Sequence, residues 1–159
     1  MKENQTRNLT TAALIAALYV VLTLVANALG LASGVIQLRL SEMLTVLPLF
    51  TAAAIPGLAA GCLLANFLTG CALWDVVFGT VATLLGALGT RYLSGGNKWI
   101  GVLYPIFSNA VIVPFVLQYA YGVPDGYWFL FTTVGIGEVL SCGVLGLLFH
   151  KLVQRTRIF

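Results

Sequence analysis

The sequence predicts an all-α integral membrane protein, with six transmembrane helices in a single domain over residues 1–159 and a short strand-like loop between helices 1 and 2. Three observations carry this reading. Hydrophobic residues make up 60% of the chain and charged residues 8%, at a mean hydropathy of +0.99. Soluble domains carry roughly a quarter charged residues, so this chain cannot cover its own surface with polar groups, and lipid has to be the solvent for most of it. A bilayer span takes about 20 residues, which leaves room for about six spans once loops and tails are set aside. The net charge of +3 is small and scattered, which argues against nucleic acid and makes the placement of Lys and Arg a topology signal.

Span 1 is expected over Leu9–Leu29, span 4 over Leu73–Tyr92, span 5 over Trp99–Tyr119 and span 6 over Tyr127–Leu152. Lys2 and Arg7 before the first apolar run resemble a signal peptide, but the run is too long for one and reads as a span that stays in the protein. In the loop from Gly30 to Ser41, Ile36, Leu38 and Leu40 alternate with Gln37, Arg39 and Ser41, a period of two that suggests a short strand or hairpin. Ser41 is placed to cap a helix with Glu42 in its first turn.

The stretch from Glu42 to Leu68 is divided by Pro56 and Gly57 into halves of about 13 residues, or about 20 Å each at helical rise. It reads either as one kinked span or as two short ones that turn at Pro56. With two, Lys2, Arg7, Arg91, Lys98, Lys151, Arg155 and Arg157 share one face and Arg39 lies on the other. Cytoplasmic loops collect Lys and Arg, so six spans with both termini in the cytoplasm of a prokaryotic cell is the reading adopted. Trp74, Trp99 and Trp128 then fall near the membrane–water boundaries, where Trp is enriched.

Small residues mark helix faces. Gly57, Gly61 and Ala65 recur every fourth position on span 3; Ala12 and Ala16, and Ala13 and Ala17, form adjacent strips on span 1. Such faces let backbones approach closely in lipid. Packing within the chain is the default for all of them, and docking against another protein is the alternative for span 1. Cys62, Cys71 and Cys142 form no CxxC pair, and His150 is the sole histidine, so they read as small core residues and not as a metal site.

In a chain this apolar the informative residues are the exceptions. Arg39, Glu42, Asn66, Asp75, Asn109, Gln118 and Asp125 gather in the non-cytoplasmic half. Glu138 lies deeper, about 16 Å into span 6 at helical rise, with Gly135 and Gly137 clearing the approach to it. Each has a structural alternative. Arg39 and Glu42 can pair with one another, Asn66 and Asn109 can tie helices together, Asp75 can cap span 4, and Asp125 beside Pro124 reads as a solvated turn. For Glu138 function outweighs structure, because burying a carboxylate is costly. Nucleophile–base pairs, zinc motifs and glycine-rich phosphate loops are missing from the sequence, which disfavours an enzyme and leaves the chain itself without cofactor.

The segments Gln37-Leu-Arg-Leu-Ser-Glu-Met-Leu-Thr-Val-Leu-Pro48, Ile55-Pro-Gly-Leu58, Gly61-Cys-Leu-Leu-Ala-Asn66 and Trp74-Asp-Val-Val-Phe-Gly79, followed by Ser108-Asn-Ala-Val-Ile-Val-Pro114 and Val134-Gly-Ile-Gly-Glu138, resemble the QueT family of queuosine-precursor transporters, in order and over nearly the whole chain. The resemblance implies the substrate-binding S component of an energy-coupling factor (ECF) transporter, a six-helix membrane protein. It would work with a transmembrane coupling subunit and two ATP-binding-cassette ATPases that use ATP. It implies a 7-deazaguanine substrate: preQ1, preQ0 or queuine. Arg39, Glu42, Asn66, Trp74, Asp75, Asn109, Gln118 and Glu138 would then form the pocket. A carboxylate would accept the guanine-like N–H edge, an amide or Arg would donate to O6, and Trp74 would stack on the ring. Glu42 and Asp75 would favour the cationic amine of preQ1 over the neutral nitrile of preQ0. The helix 1 docking motif of the family maps onto Ala12/Ala16 or Ala13/Ala17. The competing readings are an S component for another vitamin and a standalone small transporter.

Overall fold

The computed structural model describes residues 2–32 and 36–156, apart from the side chains of residues 2 and 3. It is all-helical, with no strand among the described residues. The elements are α1 (Lys2–Ala28), a 3₁₀ helix (Leu40–Leu49), α2 (Ala54–Leu68), α3 (Leu73–Tyr92), α4 (Lys98–Tyr121) and α5 (Tyr127–Thr156). Within α5, Tyr127–Glu138 and Gly146–Thr156 are α-helical and Val139–Leu145 is a π-helical segment.

Four of these helices, α1, α3, α4 and α5, are long and apolar enough to cross a bilayer. Their outward residues are what lipid requires: Leu14, Leu18, Leu85, Leu103, Phe107 and Leu148 are all exposed. The stretch read as two short spans forms two shorter apolar helices, Leu40–Leu49 and Ala54–Leu68, beside these four. The break between the short helices falls at residues 50–53, upstream of the expected turn at Pro56. Pro56 instead sits in the first turn of α2, where helical N–H groups have no intrahelical acceptor and a missing one costs little.

The 3₁₀ helix is the central rod and contacts every other helix. Leu44, Val46 and Leu47 are buried in it beside Glu42 and Thr45. Pro48 closes it, and Arg91 from α3 donates Nη1 to the carbonyls of Pro48 (3.1 Å) and Leu49 (3.4 Å), which satisfies acceptors that a helix end leaves open. The Ser41 cap is not formed. Arg39 occupies the cap position in extended conformation without a side-chain cap, and Ser41 Oγ accepts from Thr23 Oγ1 of α1 at 2.9 Å.

The loop before this rod is extended at Arg39 but builds no ladder. Leu38 N donates to Leu31 O at 2.8 Å. Residues 33–35 of the expected hairpin lie outside the described residues, as does Arg157 of the basic face. The alternation that suggested a strand arises because Gln37 and Arg39 turn toward cavities between the helices.

Helix pairs meet through small residues. A Cβ on Gly57 would stand 2.7 Å from the carbonyl oxygen of Ala12, and one on Gly61 would stand 2.7 Å from Tyr19 Cβ and 3.0 Å from Ala16 Cα. Ala12 and Ala16 are therefore the strip that packs inside the chain, and Ala13 and Ala17 are exposed. On the other side of the bundle, Gly86 and Gly89 of α3 receive Pro105 and Tyr104 of α4. Gly122 ends α4 with φ +64, the left-handed conformation glycine adopts without strain.

Gly61→Leu should separate α1 from α2 and destabilise the fold by about 1–3 kcal/mol through overpacking. Thermal unfolding in detergent checks this, with Gly126→Ala as the control, since a Cβ there meets nothing within 4 Å and its φ of −65 suits alanine.

Candidate functional site

Gly137 decides where the 36–39 loop lies. A Cβ at this position would collide with the carbonyl oxygen of Gln37, so the loop backbone rests directly on α5. The approach cleared by Gly137 is thus taken by the loop of this chain itself. Gly135 faces an outward apolar groove between α4 and α5. Four residues beyond Gly137, Ser141 Oγ accepts from Arg39 N at 3.1 Å. These two contacts fix Arg39 between the helices, and its side chain divides a polar cavity into two lobes.

One lobe, of about 350 Å³, is lined by Asn66, Thr69, Asp75 and Tyr121. The other, of about 280 Å³, is lined by Glu138, Asp125, Phe129 and Thr133. Gln37, Arg39, Val113, Leu117 and Val123 border both. Small-molecule sites run from about 300 to 1,000 Å³, so the lobes together match a compact ligand of one or two rings. A larger concavity of about 770 Å³ between α4 and α5 is lined almost wholly by apolar side chains such as Leu103, Phe107 and Ile136. It faces outward and belongs to the lipid surface.

Arg39 does not take Glu42 as its hydrogen-bond partner. Its Nη2 donates to Asn66 Oδ1 at 3.3 Å, and Asn66 Nδ2 reaches the carbonyl of Asp75 at 3.3 Å. Tyr121 then closes the first lobe: its hydroxyl donates to Asp75 Oδ2 at 2.9 Å and accepts from Ala72 N at 3.1 Å. Asp75 is held by α4 across the mouth of the lobe, and its Oδ1 stands beside Gly79.

Behind the second lobe is a buried acidic cluster. Glu42 is 0% exposed and Glu138 is 3% exposed. Tyr19 OH donates to Glu42 Oε1, and Cys142 Sγ donates to Glu138 Oε2 at 3.2 Å. One donor or acceptor atom from each of Glu42, Glu138 and Cys142 lies within 4.8 Å of the other two. Asn109 stands beside Glu138, its amide atoms buried and without a well-aligned partner among the described residues, and Glu42 Oε2 likewise has none among them. The π-helical segment starts at the residue after Glu138 and carries Ser141 and Cys142; such insertions are frequent at functional sites.

Arg39, Asn66, Asp75 and Glu138 therefore line one divided cavity, with Glu42 and Asn109 in the layer beneath it. Trp74 and Gln118 are not brought to it. Trp74 is 62% exposed, stacks on Phe78 with ring centroids 5.7 Å apart and faces an outward apolar groove with Phe115 and Tyr119. Gln118 Nε2 ties the α4–α5 turn by donating to Asp125 O at 2.9 Å. Tyr19, Tyr121, Ser141 and Cys142 escaped the sequence reading. Cys142 had a signal, being one helical turn past Glu138. Tyr19 had a weaker one, a lone phenol inside an apolar span.

Gly137→Ala should lift the loop off α5 without altering helix content. Limited trypsin digestion of the detergent-solubilised protein checks this: cleavage after Arg39 should speed up by about tenfold relative to wild type, since protection reports local opening.

Comparison with known proteins places this arrangement in a family. A family model described as QueT transporter matches residues 9–155. The queuosine precursor transporter QueT of Lactococcus lactis subsp. cremoris (strain MG1363) is 30% identical over 166 aligned positions, which cover 98% of this chain and 97% of that protein. No solved structure matches the chain. The residues that build the divided cavity, from Arg39 to Glu138, all lie inside the matched span, and the chain belongs to the QueT transporter family.

Proposed function

We propose that this chain is the substrate-capturing S component of an energy-coupling factor transporter, and that it takes up a queuosine precursor of the 7-deazaguanine class. The observation that carries the reading is a polar cavity walled by Glu138, Arg39, Asn66 and Asp75 inside an otherwise apolar helix bundle, in a chain of the QueT transporter family. The name of the Lactococcus relative supplies the substrate class.

The chemistry of that class suits these residues. A guanine-like edge presents adjacent N–H donors, and Glu138 is the carboxylate on the cavity wall that would accept them in bidentate fashion. Arg39, held on the boundary of the two lobes, is the donor for O6. Asp75 is the carboxylate left for a substrate amine, since Glu42 lies beneath the cavity against Tyr19. That would give preQ1 the advantage over preQ0 through Asp75 alone.

In this role the chain forms one membrane domain of six spans, the 3₁₀ helix and α2 serving as the two short ones, with both termini in the cytoplasm. Transport would draw on ATP hydrolysed by two ATP-binding-cassette subunits and coupled through a transmembrane partner. Packing favours one register of the helix 1 motif. Ala12 and Ala16 are occupied by Gly57 and Gly61, so Ala13 and Ala17, which are exposed, are the pair we assign to the coupling subunit.

Two measurements test this reading. Tryptophan-fluorescence titration of the purified chain should show binding of preQ1, preQ0 or queuine and none of thiamine or riboflavin. Glu138→Gln should cost about 2–5 kcal/mol of that affinity, the usual loss on truncating a buried charged hydrogen-bond pair; full affinity in the folded variant would remove Glu138 from the site. Separately, Ala13→Leu with Ala17→Leu should abolish uptake in cells that supply the partner subunits while ligand binding by the purified chain persists. Normal uptake by that double variant would leave the strip facing lipid only.

A further inference from the structure

The first lobe is larger than the Glu138 lobe it adjoins and is furnished differently. Besides Asp75 and Tyr121, it is lined by Thr23 and Asn27 near the C-terminal end of α1 and by Thr69 and Cys71 in the connection from α2 to α3. Among the described residues, the apolar walls at Phe129 and Leu130 belong to the second lobe alone. With a ring in the second lobe, an aminomethyl arm adds only one carbon and one nitrogen. It would leave most of the 350 Å³ of the first lobe to water.

The polar groups of this lobe are acceptors more than donors. The hydroxyl hydrogen of Thr23 is committed to Tyr19 O or Ser41 Oγ, each at 2.9 Å, and that of Thr69 to Ala65 O at 2.8 Å. The Tyr121 hydroxyl donates to Asp75, and Arg39 gives Nη2 to Asn66. A hydroxyl whose hydrogen is spent still has oxygen lone pairs to offer. A substituent entering the lobe therefore has to bring its own hydrogen-bond donors, or it strips these oxygens of water without compensation. A nitrile brings none. An ammonium brings donors that Asp75 accepts, and the Thr23 and Thr69 oxygens are then left for donors further along the arm.

We propose that the first lobe is a subsite for a hydroxylated arm carried on the substrate amine, so that among 7-deazaguanines the chain binds most tightly one whose aminomethyl nitrogen bears a cyclic diol, as in queuine. This rests on the reading of Glu138 and the second lobe as the ring site. The substituted nitrogen is still a cationic amine, so Asp75 serves it as it serves the amine of preQ1. The diol takes the part of the lobe that an aminomethyl arm leaves to water, and its hydroxyl hydrogens go to the oxygens of Thr23 and Thr69.

The test titrates the full chain in detergent with preQ0, preQ1, queuine and a preQ1 whose amine carries a plain cyclopentyl group. Queuine should bind about tenfold more tightly than preQ1, the worth of roughly two added hydrogen bonds. The cyclopentyl compound should bind no more tightly than preQ1. Thr23→Val with Thr69→Val removes both hydroxyls at nearly constant shape and should bring the queuine-to-preQ1 ratio to within about twofold of one. A ratio measured on one protein does not move with a general loss of stability, so a merely structural role for these threonines would leave it unchanged, and an unchanged ratio overturns their assignment. Should the double variant fail to fold, the four ligands on wild type decide the matter. Queuine no tighter than preQ1 would make the lobe a water-filled mouth, and a cyclopentyl compound as tight as queuine would make it a space for bulk; either result overturns the proposal while the site reading stands. If no deazaguanine binds, or Glu138→Gln binds them as wild type does, the site reading itself fails and the arm subsite falls with it.

Discussion

With no side chain at Gly137, the Gln37 carbonyl lies directly against α5, and the amide of Arg39 reaches Ser141 one turn further on. The place of Arg39 in the cavity follows from that seat. It brings a guanidinium from a loop into the middle of a bundle whose outward faces are leucine, phenylalanine and valine. It also places the extended segment so that Asn66 from α2 can hold the guanidinium from one side while Glu138 stands on the other. A charged group in an apolar bundle is tolerated when it is paired and hydrogen-bonded, so the loop, α2 and α5 hold one another in register through Arg39.

The 3₁₀ helix extends this constraint to the rest of the chain. It follows Arg39 directly and touches every other helix, so its position couples the cavity to the core made by Leu44, Leu47, Leu58 and Tyr19. Tyr19 belongs to both: its ring packs in that core and its hydroxyl meets Glu42. At the far end, Arg91 anchors the last carbonyls of the same rod. Small residues then let α1 and α2, and α3 and α4, close around it. Van der Waals packing of this kind is what membrane helices rely on, since lipid offers no hydrophobic drive to bring them together.

The membrane class, the four long helices and the small-residue faces were legible in the sequence because they depend on composition and on period, which are local. Glu138 was legible because a carboxylate at that depth has no inexpensive alternative. The strand-like reading of residues 36–41 failed for a physical reason: period two reports two different environments on opposite sides of an extended chain, and here one environment is the cavity. Pro56 misled because proline marks the first turn of a helix as readily as a break. Trp74 and Asp75 are adjacent, so one faces outward and the other inward; sequence proximity to a pocket residue carried no information about direction. Tyr121 and Asp75 meet across 46 positions of chain, a contact that only the packing of α3 on α4 creates.

The two lobes differ in what they ask of a ligand. In the first, Asp75 is already given a hydrogen bond by Tyr121 on Oδ2, which steadies the carboxylate and leaves Oδ1 to meet a further donor. In the second, Glu138 receives a thiol hydrogen from below and faces a lobe with apolar walls at Val113, Leu117, Phe129 and Leu130. Under the proposed reading, a flat heterocycle with donors along one edge would lie in the second lobe, its faces against those apolar walls and its edge at the carboxylate. A substituent crossing the Arg39 boundary would enter the first lobe and find Asp75. In that reading the neutral, planar part of the ligand would meet the apolar walls of the second lobe, and a cationic arm would reach the lobe whose carboxylate is held by an exposed tyrosine. Under the proposed reading, specificity for the ring and specificity for the arm would fall on two different carboxylates, with the guanidinium of Arg39 bordering both lobes.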